Sequence, residues 1–202
     1  MENKENDWTG NSNSVFKTLG ATSHAVGERE QNDFYATEPK AVECLLEKVQ
    51  FAQNIWECAC GKGHISKVLE KNGHKVKSTD LIDRGFGENG VDFLLGTFDR
   101  FDGDIITNPP YKFATEFIYR ALDLVGDGNK VAMLLRVQFL EGKQRRKLFD
   151  KFPPKTILVP SARFNCAKNG DFNTYKTNSA VCYAWFVWEK GFKGKPQLEW
   201  IN

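Results

Sequence analysis

The 202-residue chain has no apolar run near the ~20 residues that a membrane span requires, and nothing at its start reads as a secretory leader. A soluble, cytoplasmic protein is the expectation. Cysteine is sparse and odd in number: Cys44, Cys58, Cys60, Cys166 and Cys182 cannot all pair, and Cys58-x-Cys60 lacks a second pair at metal-ligand spacing. Reduced thiols and no metal site follow. Net charge is also nearly absent, because 28 Lys and Arg stand against 26 Asp and Glu, which leaves +2. That balance conceals an asymmetry. Residues 136–178 hold ten basic and three acidic residues, a sum of +7, so the remainder of the chain sums to −5. A basic segment on an acidic body suits a polyanion, since phosphate neutralisation is the sequence-independent part of nucleic-acid binding; a solvated helix face with loop lysines gives the same count.

The chain is long enough to bury a substantial core as one domain, placed here at residues 33–202. Residues 1–32, rich in Asn, Ser, Glu and Gly, read as a flexible N-terminal arm. After Phe34 and Tyr35, Thr37 is a plausible helix cap with Pro39 in the first turn, and Ala41, Val42, Leu45, Leu46 and Val49 keep a helical period. Residues 54–60 read as a buried strand that runs into Gly61-Lys62-Gly63, after which Ile65, Val68 and Leu69 line one face of a helix. A strand, glycine turn and helix allow a ligand close to the backbone and offer it a helix N-terminus, although Gly-x-Gly alone says little. Lys75 to Thr79 is a second strand, and Asp80 at its end can accept both hydroxyls of a ribose or simply form a turn.

Two such units in succession predict a right-handed crossover and a parallel sheet. Further strands are expected at 91–95, 104–107, 130–135, 155–159 and 180–188, with helices over 113–125 and 141–152. The expected architecture is a Rossmann-like, doubly wound α/β fold: a mostly parallel seven-stranded sheet with helices on both faces. The last strand, apolar on both sides, should be central. No internal repeat is visible.

The stretch Asp104 to Tyr111 joins a strand to two prolines that no strand can continue through, so Asn108-Pro109-Pro110-Tyr111 must be a loop at a strand end. It offers an amide, two ring-locked carbonyls and an aromatic together. That combination suits a flat, nitrogen-bearing group.

Taken in order, Glu57-x-x-x-Gly61-x-Gly63, the strand-end Asp80 and Asn108-Pro109-Pro110-Tyr111 resemble the S-adenosylmethionine-dependent amino-methyltransferases, and most closely the phage-type DNA adenine-N6 methyltransferases. The resemblance covers roughly residues 33–190. It implies a class I methyltransferase fold, S-adenosylmethionine as cofactor, and, for a phage enzyme, a bacterial host cytoplasm. By this likeness Phe34, Tyr35 and Thr37 contact the methionine end of the cofactor, although relatives more often have Thr-Pro without the intervening Glu38. Glu57, Ala59, Gly61 and Gly63 form the glycine-rich cofactor loop, Asp80 holds the ribose, and Asp92 with Phe93 meets the cofactor's adenine. Asn108, Pro109, Pro110 and Tyr111 are the catalytic residues, with Asn108 also beside the cofactor.

An exocyclic amine conjugated to a purine is a poor nucleophile because its lone pair is delocalised. If the Asn108 side-chain oxygen and the Pro109 carbonyl each accept one N–H, the nitrogen is drawn toward tetrahedral geometry and Tyr111 stacks on the flipped base. DNA is favoured by the basic segment. Arg145 and Arg146 are expected to meet phosphate, and Arg163, Asn165, Lys168 and Asn169 in the long loop before the last strand are candidates for base or phosphate contacts. So short a domain implies short or weak sequence specificity. RNA adenine and a protein glutamine amide remain alternative substrates, because an amide nitrogen poses the same lone-pair problem. A non-catalytic nucleic-acid-binding module on the same fold is a third. A nicotinamide-dependent oxidoreductase would share the glycine turn and Asp80, but has Ser66 at its third glycine and no use for residues 108–111. No metal or membrane partner is expected, and oligomeric state is not legible.

Overall fold

The structure is a computed structural model that describes residues 35–164, 166–168 and 181–202. The N-terminal arm, Phe34, Asn165 and Asn169 therefore lie outside the described residues, and Lys168 is described by its backbone alone. Ten strands and four helices follow in chain order: β1 (Tyr35–Thr37), α1 (Pro39–Lys48), β2 (Asn54–Glu57), α2 (His64–Lys71), β3 (Lys75–Asp80), β4 (Glu88–Asn89) and β5 (Asp104–Thr107). Then come α3 (Ala114–Leu124), β6 (Lys130–Arg136), α4 (Lys143–Lys151), β7 (Thr156–Pro160), β8 (Cys166–Lys168), β9 (Tyr183–Glu189) and β10 (Gln197–Ile201).

Eight strands make one sheet in the order β10-β7-β9-β6-β5-β2-β3-β4. All neighbours are parallel except at β9, which runs against both β6 and β7. Residues along the central strands alternate between two cores, as a sheet buried on both faces requires. Ile105, Val131, Met133 and Leu135 pack with Phe117, Ile118, Ala121 and Leu148 from α3 and α4. Ile106, Ala132 and Leu134 pack on the other side with Ala41, Val42, Leu45, Ile65 and Leu69 from α1 and α2. The fold class read from the sequence is thus the observed one, and β9 is central.

The structure corrects details of that reading. Val91 to Leu95 is not a strand: Phe93 to Leu95 form a turn, and the edge strand is the two-residue β4 just before it. The sheet has an eighth strand, β10, beyond the expected seven. Thr37 does not cap α1. The helix starts from Glu38 without a side-chain cap, with Pro39 at its first position, and Thr37 belongs instead to β1. β1 and β8 pair antiparallel as a separate two-stranded ribbon, with Tyr35 opposite Lys168 and Thr37 opposite Cys166.

All five cysteines are free thiols. Among the described residues no helix is long and apolar enough to cross a membrane, and no cluster of side chains could hold a metal ion.

Candidate functional site

From β2 the chain winds outward through β3 and β4, then returns to the other side of β2 to form β5. That reversal opens a crevice at the carboxyl ends of β2 and β5, where ligands settle in doubly wound sheets. The glycine turn leaves β2 on one side of this crevice and the Asn108 loop leaves β5 on the other. A groove of about 570 Å³ lined by Lys48, Asp104, Lys130 and Lys155 opens at the opposite, amino end of β5, β6 and β7, away from both loops.

The glycine turn is held by carboxylates from both sides. The Gly61 N–H donates to Asp80 Oδ2 and the Ile82 N–H to Asp80 Oδ1, each at 2.8 Å. Asp80 therefore ties the turn after β2 to the end of β3, and each oxygen keeps a lone pair for a further donor. Gly61 and Gly63 take φ of 56° and 76°, which side chains rarely adopt. The empty side of Gly63 is used by Phe86: a Cβ there would meet the ring at 2.4 Å. Leu81, next to Asp80, is 55% exposed and offers an apolar face beside the carboxylate. A ribose diol on Asp80 with a flat base against Leu81 is a fit for an adenosine.

Glu57 lies beneath the turn, 1% exposed, where Oε2 accepts the Ser66 N–H at 2.8 Å and the Ser66 hydroxyl. The Ser66 hydroxyl in turn lies 2.7 Å from that of Ser78. Burial pushes the Glu57 carboxyl up to about 8, against the lowering effect of the Ser66 hydrogen bonds. It is a neutral acid below that pH, and it pins the first turn of α2 to β2 rather than reaching a ligand. Because the folded-state value lies above the unfolded one, this group's contribution to stability is complete below the ordinary carboxylate range and is lost as pH rises toward about 8. Between those limits stability should fall by up to ~1.4 kcal/mol per pH unit from this group. Glu57→Gln, which mimics the neutral acid, should flatten that slope in urea melts at pH 5 to 8; an unchanged slope would show that the group is ionised in the fold.

Across the crevice, Asn108 Nδ2 donates to the Tyr35 carbonyl at 3.0 Å and to Thr37 Oγ1 at 3.1 Å. A carbonyl can only accept, so the orientation of this amide is decided: its NH₂ faces β1 and Oδ1 is left over as an acceptor. The Pro110 carbonyl is taken by the Phe113 N–H at 2.9 Å, whereas the Pro109 carbonyl accepts no hydrogen bond among the described residues. Two acceptors on adjacent residues are thus left without a donor among the described residues. Tyr111 is partly exposed, and the Arg136 guanidinium lies 4.7 Å from its ring centre.

Other residues singled out from the sequence sit elsewhere. Phe93 is 2% exposed and packs against Trp56 at 5.3 Å and Phe117 at 5.0 Å, so it is a core residue with no face for a ligand. Asp92 Oδ1 accepts the N–H groups of Leu94 and Leu95 and shapes the turn that buries Phe93. The Phe93 ring is thus turned into the core, and a cofactor contact by Asp92 stands as a proposal beside its role in the turn. Ala59 lies in the turn between β2 and Gly61, packed against the core. Arg145 lies over Phe139 and donates to the carbonyls of Glu141 and Gln138, and Arg146 pairs with Asp150 at 2.6 Å. Both arginines have these local partners on the exposed face of α4, and contact with phosphate stands as a proposal. Arg163 is exposed in the segment after β7.

The site also contains residues that the sequence reading missed. Leu81 had a signal, an apolar residue immediately past a strand-end carboxylate. Ser66 was read only as a missing glycine. Arg136 and Phe86 had none, since a charge at a strand end and an aromatic in a glycine-rich loop are both ordinary.

The reversed β9 beside β6, the crevice between β2 and β5 and the two loops flanking it define the fold of the class I S-adenosylmethionine-dependent methyltransferases. Solved structures agree. A protein from Listeria monocytogenes assigned to that class superposes with a TM-score of 0.56 at 15% identity, over 91% of this chain and 69% of that one. The modification subunit assigned to a type I restriction enzyme of Vibrio vulnificus gives 0.56 at 12% identity, over 93% of this chain, which spans 50% of the subunit's length. A protein from Pyrococcus horikoshii assigned as an RNA methyltransferase gives 0.56 at 12% identity, over 90% and 100% of the two chains. No family model matches the sequence, and no curated protein matches it in sequence.

Proposed function

We propose that this chain is an S-adenosylmethionine-dependent N-methyltransferase that modifies the N6 amine of adenine in DNA, reached by base flipping and with short or weak sequence specificity. The observation that carries the reading is the Asn108 amide, held through its NH₂ by Tyr35 and Thr37, with Oδ1 and the carbonyl of the next residue, Pro109, both left without a donor among the described residues. Two acceptors so placed are what a conjugated amine needs and what a hydride-transfer site has no use for.

In this reading the cofactor supplies, when bound, an electrophilic methyl on a sulfonium. Asp80 holds the ribose, the turn at Gly61 brings backbone close to the cofactor, and Leu81 lines the adenosine. Tyr35 and Thr37, on the strand ahead of α1, orient Asn108 and border the methionine end. Asn108 and Pro109 each accept an amine N–H, which localises the nitrogen lone pair in line with the methyl. Two hydrogen bonds that strengthen in the transition state supply ~1 to 3 kcal/mol apiece, about 10- to 100-fold each in rate. Tyr111 stacks on the base, worth ~1 to 3 kcal/mol. The basic 136–178 segment, with the loop that carries Arg163, Asn165, Lys168 and Asn169, is the proposed DNA-facing side.

Tritium from labelled S-adenosylmethionine should appear in DNA and elute after digestion as N6-methyl-2′-deoxyadenosine. Label found only in RNA or protein would transfer the same chemistry to an RNA adenine or a glutamine amide and end the DNA assignment.

A further inference from the structure

Among the described residues Arg136, at the end of β6, has no ion-pair partner. Its guanidinium lies over Tyr111 and hydrogen-bonds the buried Tyr183 side chain, while Nε is buried without a partner. It forms no ion pair with any described residue, whereas Arg120 and Arg146 pair with Asp123 and Asp150, and Arg145 is bound to backbone carbonyls. A guanidinium is charged at every accessible pH, and drawing one out of water with no anion beside it is unfavourable. A partly buried guanidinium with a donor still unpaired is a receptor ready for an anion.

The position of the residue indicates where the anion comes from. β6 adjoins β5 on the side away from β2, whereas Gly61 and Asp80 follow β2 and β3 on the other side. Two strand spacings, about 10 Å, separate β6 from β2. Arg136 therefore stands on the substrate half of the crevice, against the ring proposed to stack on the base.

We infer that Arg136 is the receptor for an anionic oxygen of the substrate, a phosphate of the strand that carries the target base, and that its stacking on Tyr111 holds phosphate and base in one register. The inference rests on the nucleic-acid reading above and adds to it the group that grips the backbone at the active site. The carboxylate of the methyl donor has the same chemistry, so the test must separate the two.

Full-length protein with Arg136→Gln and Arg136→Lys is titrated with DNA at several salt concentrations, and separately with S-adenosylhomocysteine and with 5′-methylthioadenosine, which lacks the carboxylate. Arg136→Gln should weaken DNA binding by about ten-fold and lower the salt slope by about one. Arg136→Lys should keep the slope and lose part of the affinity, because a point charge lacks the planar fork. Binding of S-adenosylhomocysteine should not change. A variant with an intact melting curve and unaltered DNA affinity and slope overturns the inference. So does a loss confined to S-adenosylhomocysteine that spares 5′-methylthioadenosine, which would assign the anion to the donor. Because binding is read without turnover, the two failures separate: Arg136-dependent DNA binding without methylation refutes the reaction alone, and methylation indifferent to Arg136→Gln refutes the receptor alone. Wild-type protein with no affinity for DNA overturns both.

Discussion

Asn108→Ala should lower kcat for methyl transfer by about 10²-fold or more while leaving the affinity for S-adenosylhomocysteine within about two-fold. Among the described residues the side chain is bonded through its NH₂, which donates to Tyr35 and Thr37, so truncation removes both this anchor and the acceptor oxygen. The proposed ribose and adenine contacts, Asp80 with the turn at Gly61 and Leu81, are held by bonds that do not involve Asn108. Asn108→Asp separates orientation from acceptance. The carboxylate keeps an acceptor for the amine but faces the Tyr35 carbonyl with no hydrogen to give, so its rate should fall between those of Asn108 and Ala. Initial rates with labelled donor, paired with calorimetric titration of S-adenosylhomocysteine, read both effects. Equal loss of binding and rate in Asn108→Ala would place this residue in the cofactor pocket instead.

Asp80→Ala should have the opposite signature: S-adenosylhomocysteine affinity lowered by about 100-fold and stability reduced by ~1 to 3 kcal/mol. One carboxylate here serves two purposes. It satisfies the Gly61 and Ile82 N–H groups, which fixes the glycine turn, and its remaining lone pairs face the proposed ribose site. Asp80→Asn keeps the shape but offers one acceptor oxygen where two are used, so one N–H must lose its partner. Its stability loss should be about that of a single unsatisfied donor, with cofactor affinity still strongly reduced. A variant that melts earlier yet binds S-adenosylhomocysteine normally would restrict Asp80 to the turn.

The legible parts of this chain were those whose information is local. Short strand-like runs marked β2, β3, β5, β6, β7 and β9, glycine or proline followed several of them, and helical periodicity marked α1 to α4. The order of Glu57, Gly61, Gly63, Asp80 and Asn108 along the chain located both sides of the crevice before any geometry was known. β10 carries a local signal that was passed over: Gln197-Leu198-Glu199-Trp200-Ile201 alternates as a half-exposed edge strand should. What was not legible depended on distant partners. Phe93 belongs to the core because Trp56 and Phe117 surround it, which no window around residue 93 contains. β1 and β8 are three residues each and are strands only because they meet. The ion pair of Arg146 was legible but not read, since Asp150 stands four residues on, at the spacing of a helical pair.

The β1–β8 ribbon is the part of this fold expected to form last and open first in hydrogen exchange. Its contacts with Asn108 span 73 and 71 residues, and its pairing spans still more, so closing it costs loop entropy that the sheet order alone does not require. Three residue pairs return little for that cost. Such a unit opens on its own, well below the free energy that unravels β5, β6 and β9, and each opening lets the Asn108 amide turn freely while the fold stands. Competence is thereby the last property the chain acquires and the first it gives up.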